Sequence, residues 1–199
     1  MRRVGIFGGS FDPIHIGHLI VANDAMEQRE LDRVLFIPAA AAPLKPHAPK
    51  ASAEDRLAMV SRAIAGEPQF EALDYEIARG GTSYSIETAQ EIERRYDDSE
   101  LYWILGGDQV QQLHNWHRIE ELAQTVEFIY FERGEPFKRP SHLPDSIAIH
   151  PLQPRRIDVS SSEIRDRLEK GSIAKYFLPD GVLDYIKARN LYRENRDES

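Results

Sequence analysis

A chain of 199 residues, 41% hydrophobic and 29% charged, is long enough for one compact domain with a real core, and its composition is neither that of a disordered chain nor that of a membrane protein. No apolar run approaches the roughly 18 residues of a membrane span and no signal-peptide apolar region opens the sequence, so a cytoplasmic protein without membrane contact is expected. The lack of cysteine excludes disulfides and thiolate metal sites, and a formal charge of −8 argues against a nucleic-acid-binding surface while leaving room for a small anion held by a local cluster of cations.

Residues 4–18 read VGIFGGSFDPIHIGH. Val4, Ile6 and Phe7 are β-formers, Gly8 and Gly9 are expected to let the backbone turn sharply against a ligand, and Pro13 closes the turn. A helix follows with Ile16, Leu19, Ile20, Asn23 and Met26 on one face, and VLFIP at 34–38 reads as a buried strand. Such a βαβ unit implies a right-handed crossover and a parallel sheet. Ser52 with Asp55 opens a helix carrying Leu57, Val60 and Ile64, and a strand is expected over Phe70 to Leu73. Ser85 is expected to cap a helix with Ile86, Ala89 and Ile92, and the strand LYWIL at 101–105 runs directly into Gly106, Gly107 and Asp108. A helix near Ile119 to Ala123, the strand VEFIYF at 126–131, a proline-rich loop at 134–146 and a weaker strand at Ile147 to Ile149 come next. One helix is capped by Ser160 or Ser161 and ends before Gly171, and another, Val182 to Ala188, follows Pro179. The alternation predicts an α/β fold with a doubly wound, mostly parallel, Rossmann-like sheet. Helices cover both faces, and a small C-terminal helical part at about 159–192 belongs to the same single domain, before a disordered tail at about 193–199. Ligands belong at the carboxyl ends of the strands, where both glycine turns fall.

His15 and His18 stand one helical turn apart beside a helix start, so both can face one ligand. A zinc pair, an unremarkable pair on a helix face, and a phosphate site whose imidazoles donate to phosphoryl oxygens all fit that spacing. Two imidazoles fall short of a zinc ligand set, and the flanking glycines with Asp12-Pro13 favour phosphate. VSSSEIR at 159–165 reads either as plain capping with a surface arginine or as an anion site at a helix start. Lys45 alone would be a surface lysine, Asp108 a turn acid or a ribose acceptor, and Trp116 a core residue or a stacking platform.

GGSFDPIHIGH resembles the GxFDPxHxGH motif of the HxGH nucleotidylyltransferase superfamily, and within it the chain is most similar to bacterial nicotinate-nucleotide adenylyltransferases. The likeness continues through IPAAAAPLKP, GGD, TSYS, VSSSEIR and LPDGVLDYIKARNLY, nearly the whole chain. It implies transfer of an adenylyl group from ATP to nicotinate mononucleotide, with Mg2+ accompanying ATP mainly through the phosphates and no metal site built from the protein. His18 would meet charge developing at the α-phosphoryl group, while His15, Lys45, Ser161 and Arg165 would hold phosphates. Gly8, Gly9, Ser10, Phe11, Gly106, Asp108, Arg133 and Ser160 would complete the ATP side, and Ala39, Tyr84, Ser85, Trp116 and His117 the acceptor side. Ser162 stands where relatives carry Thr, Val159 where they carry Ile, and Ala39 where some carry a polar residue, so any contact from Ala39 is through its backbone. A homo-oligomer is left open. The rival readings are another phosphate acceptor on the same chemistry and a nucleotide-sensing module without turnover. An NAD-dependent oxidoreductase is disfavoured, because the first loop is GGSFDP rather than GxGxxG.

Overall fold

Six parallel strands form one sheet in the order β3-β2-β1-β4-β5-β6, in a computed structural model that describes residues 1–41, 47–131, 139–140, 143–144, 146–153 and 158–193. The strands are β1 (Arg2–Gly9), β2 (Arg33–Pro38), β3 (Phe70–Ala72), β4 (Ser99–Gly106), β5 (Val126–Phe131) and β6 (Ile149–Pro151). Between and after them run α1 (Ile16–Arg29), α2 (Ala53–Ala63), α3 (Tyr75–Arg79), α4 (Ser85–Arg95), α5 (Gly107–Gln111), α6 (Ile119–Thr125), α7 (Ser161–Glu169) and α8 (Asp180–Ala188). The doubly wound α/β expectation is met.

Strand alternation divides the core into two layers. Phe7, Val34, Phe36, Tyr102 and Ile104 face α1, α2, α7 and α8, where Ala22, Ala25, Met59, Val60, Ile164, Val182 and Ile186 are buried. Val4, Ile6, Leu35, Ile37, Leu101, Trp103 and Leu105 face α4, α5 and α6 with Ile86, Ala89, Ile92, Val110 and Leu122. Near-continuous apolar strands are what a sheet covered on both sides requires.

Chain order reverses between β1 and β4, which pair in register from Arg2↔Ser99 to Ile6↔Trp103. A crevice opens at such a reversal, beyond the strands' carboxyl ends. Here those ends are Gly9 and Gly106.

Several sequence expectations shift. The α1 helix buries Gly17, Ala22, Asp24 and Ala25, with Leu19 and Met26 partly buried against the same layer; Asn23 is exposed, so the expected face through Ile16, Leu19, Ile20, Asn23 and Met26 is met only in part. The N-cap of α4 is Tyr84, with Ser85 the first helical residue. The weak strand begins two residues late, at Ile149, and α8 begins at Asp180 with Pro179 as its N-cap. Helices α3 and α5 were not expected as separate elements. Most of the loop expected at 134–146, and all of the tail from 194, lie outside the described residues.

Candidate active site

The turn after β1 is built by aromatic packing more than by glycine freedom. Phe11, not a glycine, holds the left-handed backbone of the turn, with φ 47°, and its ring is buried against Phe7 at 5.6 Å and His18 at 5.1 Å. A Cβ on Gly9 would sit 3.1 Å from that ring, and one on Gly8 would sit 3.1 Å from Trp103. Rings lie over both glycines, so a side chain at either would make Phe11 or Trp103 give way by a few tenths of an ångström. The expected sharp turn at Gly8-Gly9 is corrected accordingly: neither has positive φ. The Asp12-Pro13 bond is cis.

His15 is buried as the N-cap of α1, and His18 is half-buried one turn later. Their rings stack at 3.8 Å. The His15 backbone N–H donates to Nδ1 of His18 at 3.2 Å, so the neutral His18 ring carries its proton on Nε2. Phe7 and Phe11 meet that ring edge-on and fix its plane.

The start of α7 docks onto the same turn. Ser160 caps α7 by accepting from the Glu163 N–H, Ser161 Oγ donates to the Pro13 carbonyl at 2.9 Å, and Arg165 Nη1 donates to the Asp12 carbonyl at 2.7 Å. Two helix N-termini, those of α1 and α7, thus converge on residues 12–15. Each carries the positive end of a helix dipole, a setting that favours anions.

Asp12 is the centre of this assembly, a role its sequence context did not reveal. Its carboxylate accepts from the amides of Lys50 (2.8 Å) and Ala51 (3.0 Å) and from the hydroxyl of Tyr192 (2.7 Å), and lies 3.7 Å from Arg165 Nη1. Burial, with the negative charge of Asp12, pushes the Tyr192 phenol far above its ordinary range, so it stays protonated and donates to Asp12. Arg56, fully buried on α2, donates from Nη1 to the Ser10 carbonyl at 2.7 Å. Burial pulls its guanidinium below the ordinary value, against the pull of Asp12, Tyr192, Glu54 and Glu76. The available signal for Arg56 was a charge one helical turn ahead of Met59 and Val60 on the buried face of α2.

Across the crevice, Ala39 N–H donates to the Gly9 carbonyl at 2.9 Å and joins the loop after β2 to the end of β1. Ser83 accepts from the Ala40 N–H at 3.0 Å and donates its own N–H to the Ala41 carbonyl at 2.9 Å. Tyr84 and His117 rings lie 4.5 Å apart, which brings the TSYS loop to the Trp116-His117 segment. Trp116 packs edge-on to Trp103 at 5.9 Å and Phe128 at 6.4 Å, the arrangement of a half-buried core residue. The Gly106 N–H donates to Gln109 at the start of α5. Lys45 and Arg133 lie outside the described residues, and the side chain of Asp108 is likewise not described. Among the described residues no group of three or more His, Cys, Asp or Glu side chains could hold a metal ion. Nor is any described helix long and apolar enough to cross a membrane.

Residues 6–167 match the cytidylyltransferase-like family. The probable nicotinate-nucleotide adenylyltransferase of Opitutus terrae is 45% identical over 195 residues, covering 98% of this chain and all of that protein. The probable nicotinate-nucleotide adenylyltransferase of Methylacidiphilum infernorum is 42% identical over 196 residues, 98% of this chain and 94% of its own. Among solved structures, Plasmodium falciparum nicotinic acid mononucleotide adenylyltransferase complexed with NaAD has a TM-score of 0.79 at 21% identity, covering 96% of this chain and 98% of that one, a likeness of fold.

Proposed function

The chain belongs to the cytidylyltransferase-like family and, within it, to the nicotinate-nucleotide adenylyltransferases, and we propose from this that it joins ATP to nicotinate mononucleotide, giving deamido-NAD and pyrophosphate in NAD biosynthesis. The observation that carries the chemistry is the convergence of His18 and the N-termini of α1 and α7 at the strand-order reversal. The acceptor's phosphate oxygen attacks the α-phosphorus of ATP, the bond to the β-phosphate bridge oxygen breaks, and pyrophosphate leaves. The attacking phosphate is already an anion near neutral pH. No general base is needed, and catalysis rests on positioning and on donors aimed at developing charge.

His18 Nε2–H, held by the His15 amide at Nδ1, is the donor nearest the α-phosphoryl group in this reading. His15, Ser161, Arg165 and Lys45 hold the phosphates. The Arg165 guanidinium has more N–H donors than its bonds to Asp12 and Ser162 use. Gly8, Gly9, Ser10, Phe11 and Gly106 line the nucleotide side with backbone, joined by Ser160 and by Asp108 and Arg133 toward the adenosine. Ala39, Tyr84, Ser85, Trp116 and His117 take the pyridine nucleotide. Mg2+ would enter with ATP, carried mainly by phosphate oxygens and water. When bound, it would neutralise triphosphate charge. On this reading the enzyme works in the cytoplasm, where ATP is held.

Pyrophosphate release, followed side by side with nicotinate mononucleotide, nicotinamide mononucleotide and phosphopantetheine, tests the assignment. Nicotinate mononucleotide should give the highest kcat/KM; a better rate with another acceptor overturns the acceptor, and nucleotide binding without pyrophosphate release overturns the enzyme reading. His18→Ala should lower kcat on the order of 10²-fold or more, as removal of one transition-state donor does.

A further inference from the structure

Arg56 on α2 is 1% exposed, larger than any other fully buried side chain among the described residues, and no part of the reaction uses it. Its Nη1 donates to the Ser10 carbonyl at 2.7 Å, while its Nε is buried with no hydrogen-bond partner among the described residues. Arginine keeps its charge inside a protein, and a buried charge with an unspent donor costs stability that an apolar side chain would not. The Ser10 bond is what the guanidinium supplies in return. Ser10 and Phe11 share a trans peptide, whose C=O and N–H point in opposite directions. The bond from α2 therefore turns the Phe11 N–H away from α2, and that amide donates to no group among the described residues. Phe11 does not take this orientation for its own sake: its φ of 47° lies in the left-handed region that a β-carbon disfavours. Turning the Ser10-Phe11 peptide over would carry that φ into the ordinary extended region and reverse the N–H. A strained residue persists only where its surroundings hold it, and Arg56 holds the one carbonyl that a reversed peptide would take away.

We propose that Arg56 is a positioning residue for ATP: by holding the Ser10 carbonyl it keeps the Ser10-Phe11 peptide turned so that the Phe11 N–H faces the nucleotide's phosphates, without touching the substrate itself. The inference rests on the adenylyl-transfer reading above, which puts the backbone of Ser10 and Phe11 on the ATP side. In that place the direction of one peptide decides between a donor that attracts a phosphate oxygen and a carbonyl that repels it. The rest of the turn is held in the same manner, since the Asp12 and Pro13 carbonyls are taken by Arg165 and Ser161 of α7. Arg56 differs from those two in reaching the turn from beneath, out of the buried face of α2.

Arg56→Met keeps much of the volume and removes the donor. Calorimetric titration of the full chain should show the Kd for ATP raised on the order of tenfold, the loss of one hydrogen bond to a charged group. Steady-state kinetics should put the same factor on KM for ATP, with KM for nicotinate mononucleotide changed less than about twofold. Arg56→Lys, which retains one charged donor, should recover part of the ATP affinity. In the unaltered protein carrying isotopically labelled phenylalanine, the Phe11 amide resonance should move far more with ATP than with adenosine, a measurement that decides the matter if neither variant folds. Equal effects on both KM values, an unchanged Kd for ATP, or a Phe11 amide that responds alike to ATP and adenosine overturns the role of Arg56. If the chain prefers a different acceptor or releases no pyrophosphate, the adenylyl-transfer reading fails, while the Kd for ATP and the Phe11 amide still decide the inference.

Discussion

Asp12 stands three residues beyond the last glycine of β1 and takes hydrogen bonds from positions 38, 39 and 180 residues away, at Lys50, Ala51 and Tyr192. That range explains why the sequence exposed Asp12 as a turn former and concealed it as a hub: its partners are set by the fold, not by spacing. The two histidines were legible because their relation is local, and the structure adds the ring plane and the protonated nitrogen of His18. Tyr192→Phe isolates the longest of the Asp12 contacts. Loss of a hydrogen bond to a buried charged acceptor costs about 1.5 to 3 kcal/mol. For a chain of this size the melting temperature should fall by roughly 2 to 4 °C per kcal/mol, read by calorimetry. An unchanged melting temperature would mean that Asp12 is satisfied without the phenol.

At the scale of elements, the long, strongly patterned segments and even the two three-residue strands were readable, but the two five-residue helices were not. The α2 helix begins at Ser52, whose Oγ accepts from the Asp55 N–H at 3.0 Å, as the capping pattern implied. Helices α3 and α5 have five residues each, too few to show a helical period; for α3 the surviving signal was Gly80, at φ 69° just past its end. That omission mattered, because α3 carries Glu76 and Arg79 beneath the TSYS loop. A second joint locks α8 onto α2: Tyr185 donates to Asp55 Oδ1 at 2.8 Å, Arg189 Nε lies 3.3 Å from the same oxygen, and Arg62 lies over the Tyr185 ring. Burial raises the Asp55 carboxyl, but hydrogen bonds from Tyr185 and Ser52 and the charge and hydrogen bond of Arg189 outweigh it and hold it below its ordinary value. A depressed carboxyl stabilises the fold above its unfolded pKa, about 4, and that stability is lost as pH falls through the lower folded value. Acid unfolding of the wild-type chain should therefore steepen below about pH 4, and Asp55→Asn should flatten that limb while lowering stability at pH 7. Parallel acid limbs in the two proteins would remove Asp55 from the account.

For the whole molecule, two apolar layers on one parallel sheet leave a crevice where β1 and β4 diverge, and the local cations and helix ends there offset a net charge of −8. One crevice that holds both halves of a dinucleotide should bind deamido-NAD more tightly than either half. At a ligand concentration about 100 times Kd, the linkage stabilises the folded state by about 2.7 kcal/mol, and the melting temperature should rise by roughly 5 to 10 °C. A product shift no larger than that of AMP alone would mean the two halves do not share the crevice. The bond between Tyr192 and Asp12 has one more consequence, for the order of synthesis. At translation rates of about 5 to 20 residues per second, residue 192 leaves the ribosome roughly 10 to 40 seconds after residue 12, so a nascent chain displays the turn after β1 long before it owns the hydroxyl that bonds it. The contact that fixes Asp12 from the C-terminal side is therefore made only after the residues of α8 and the turn beyond it have emerged.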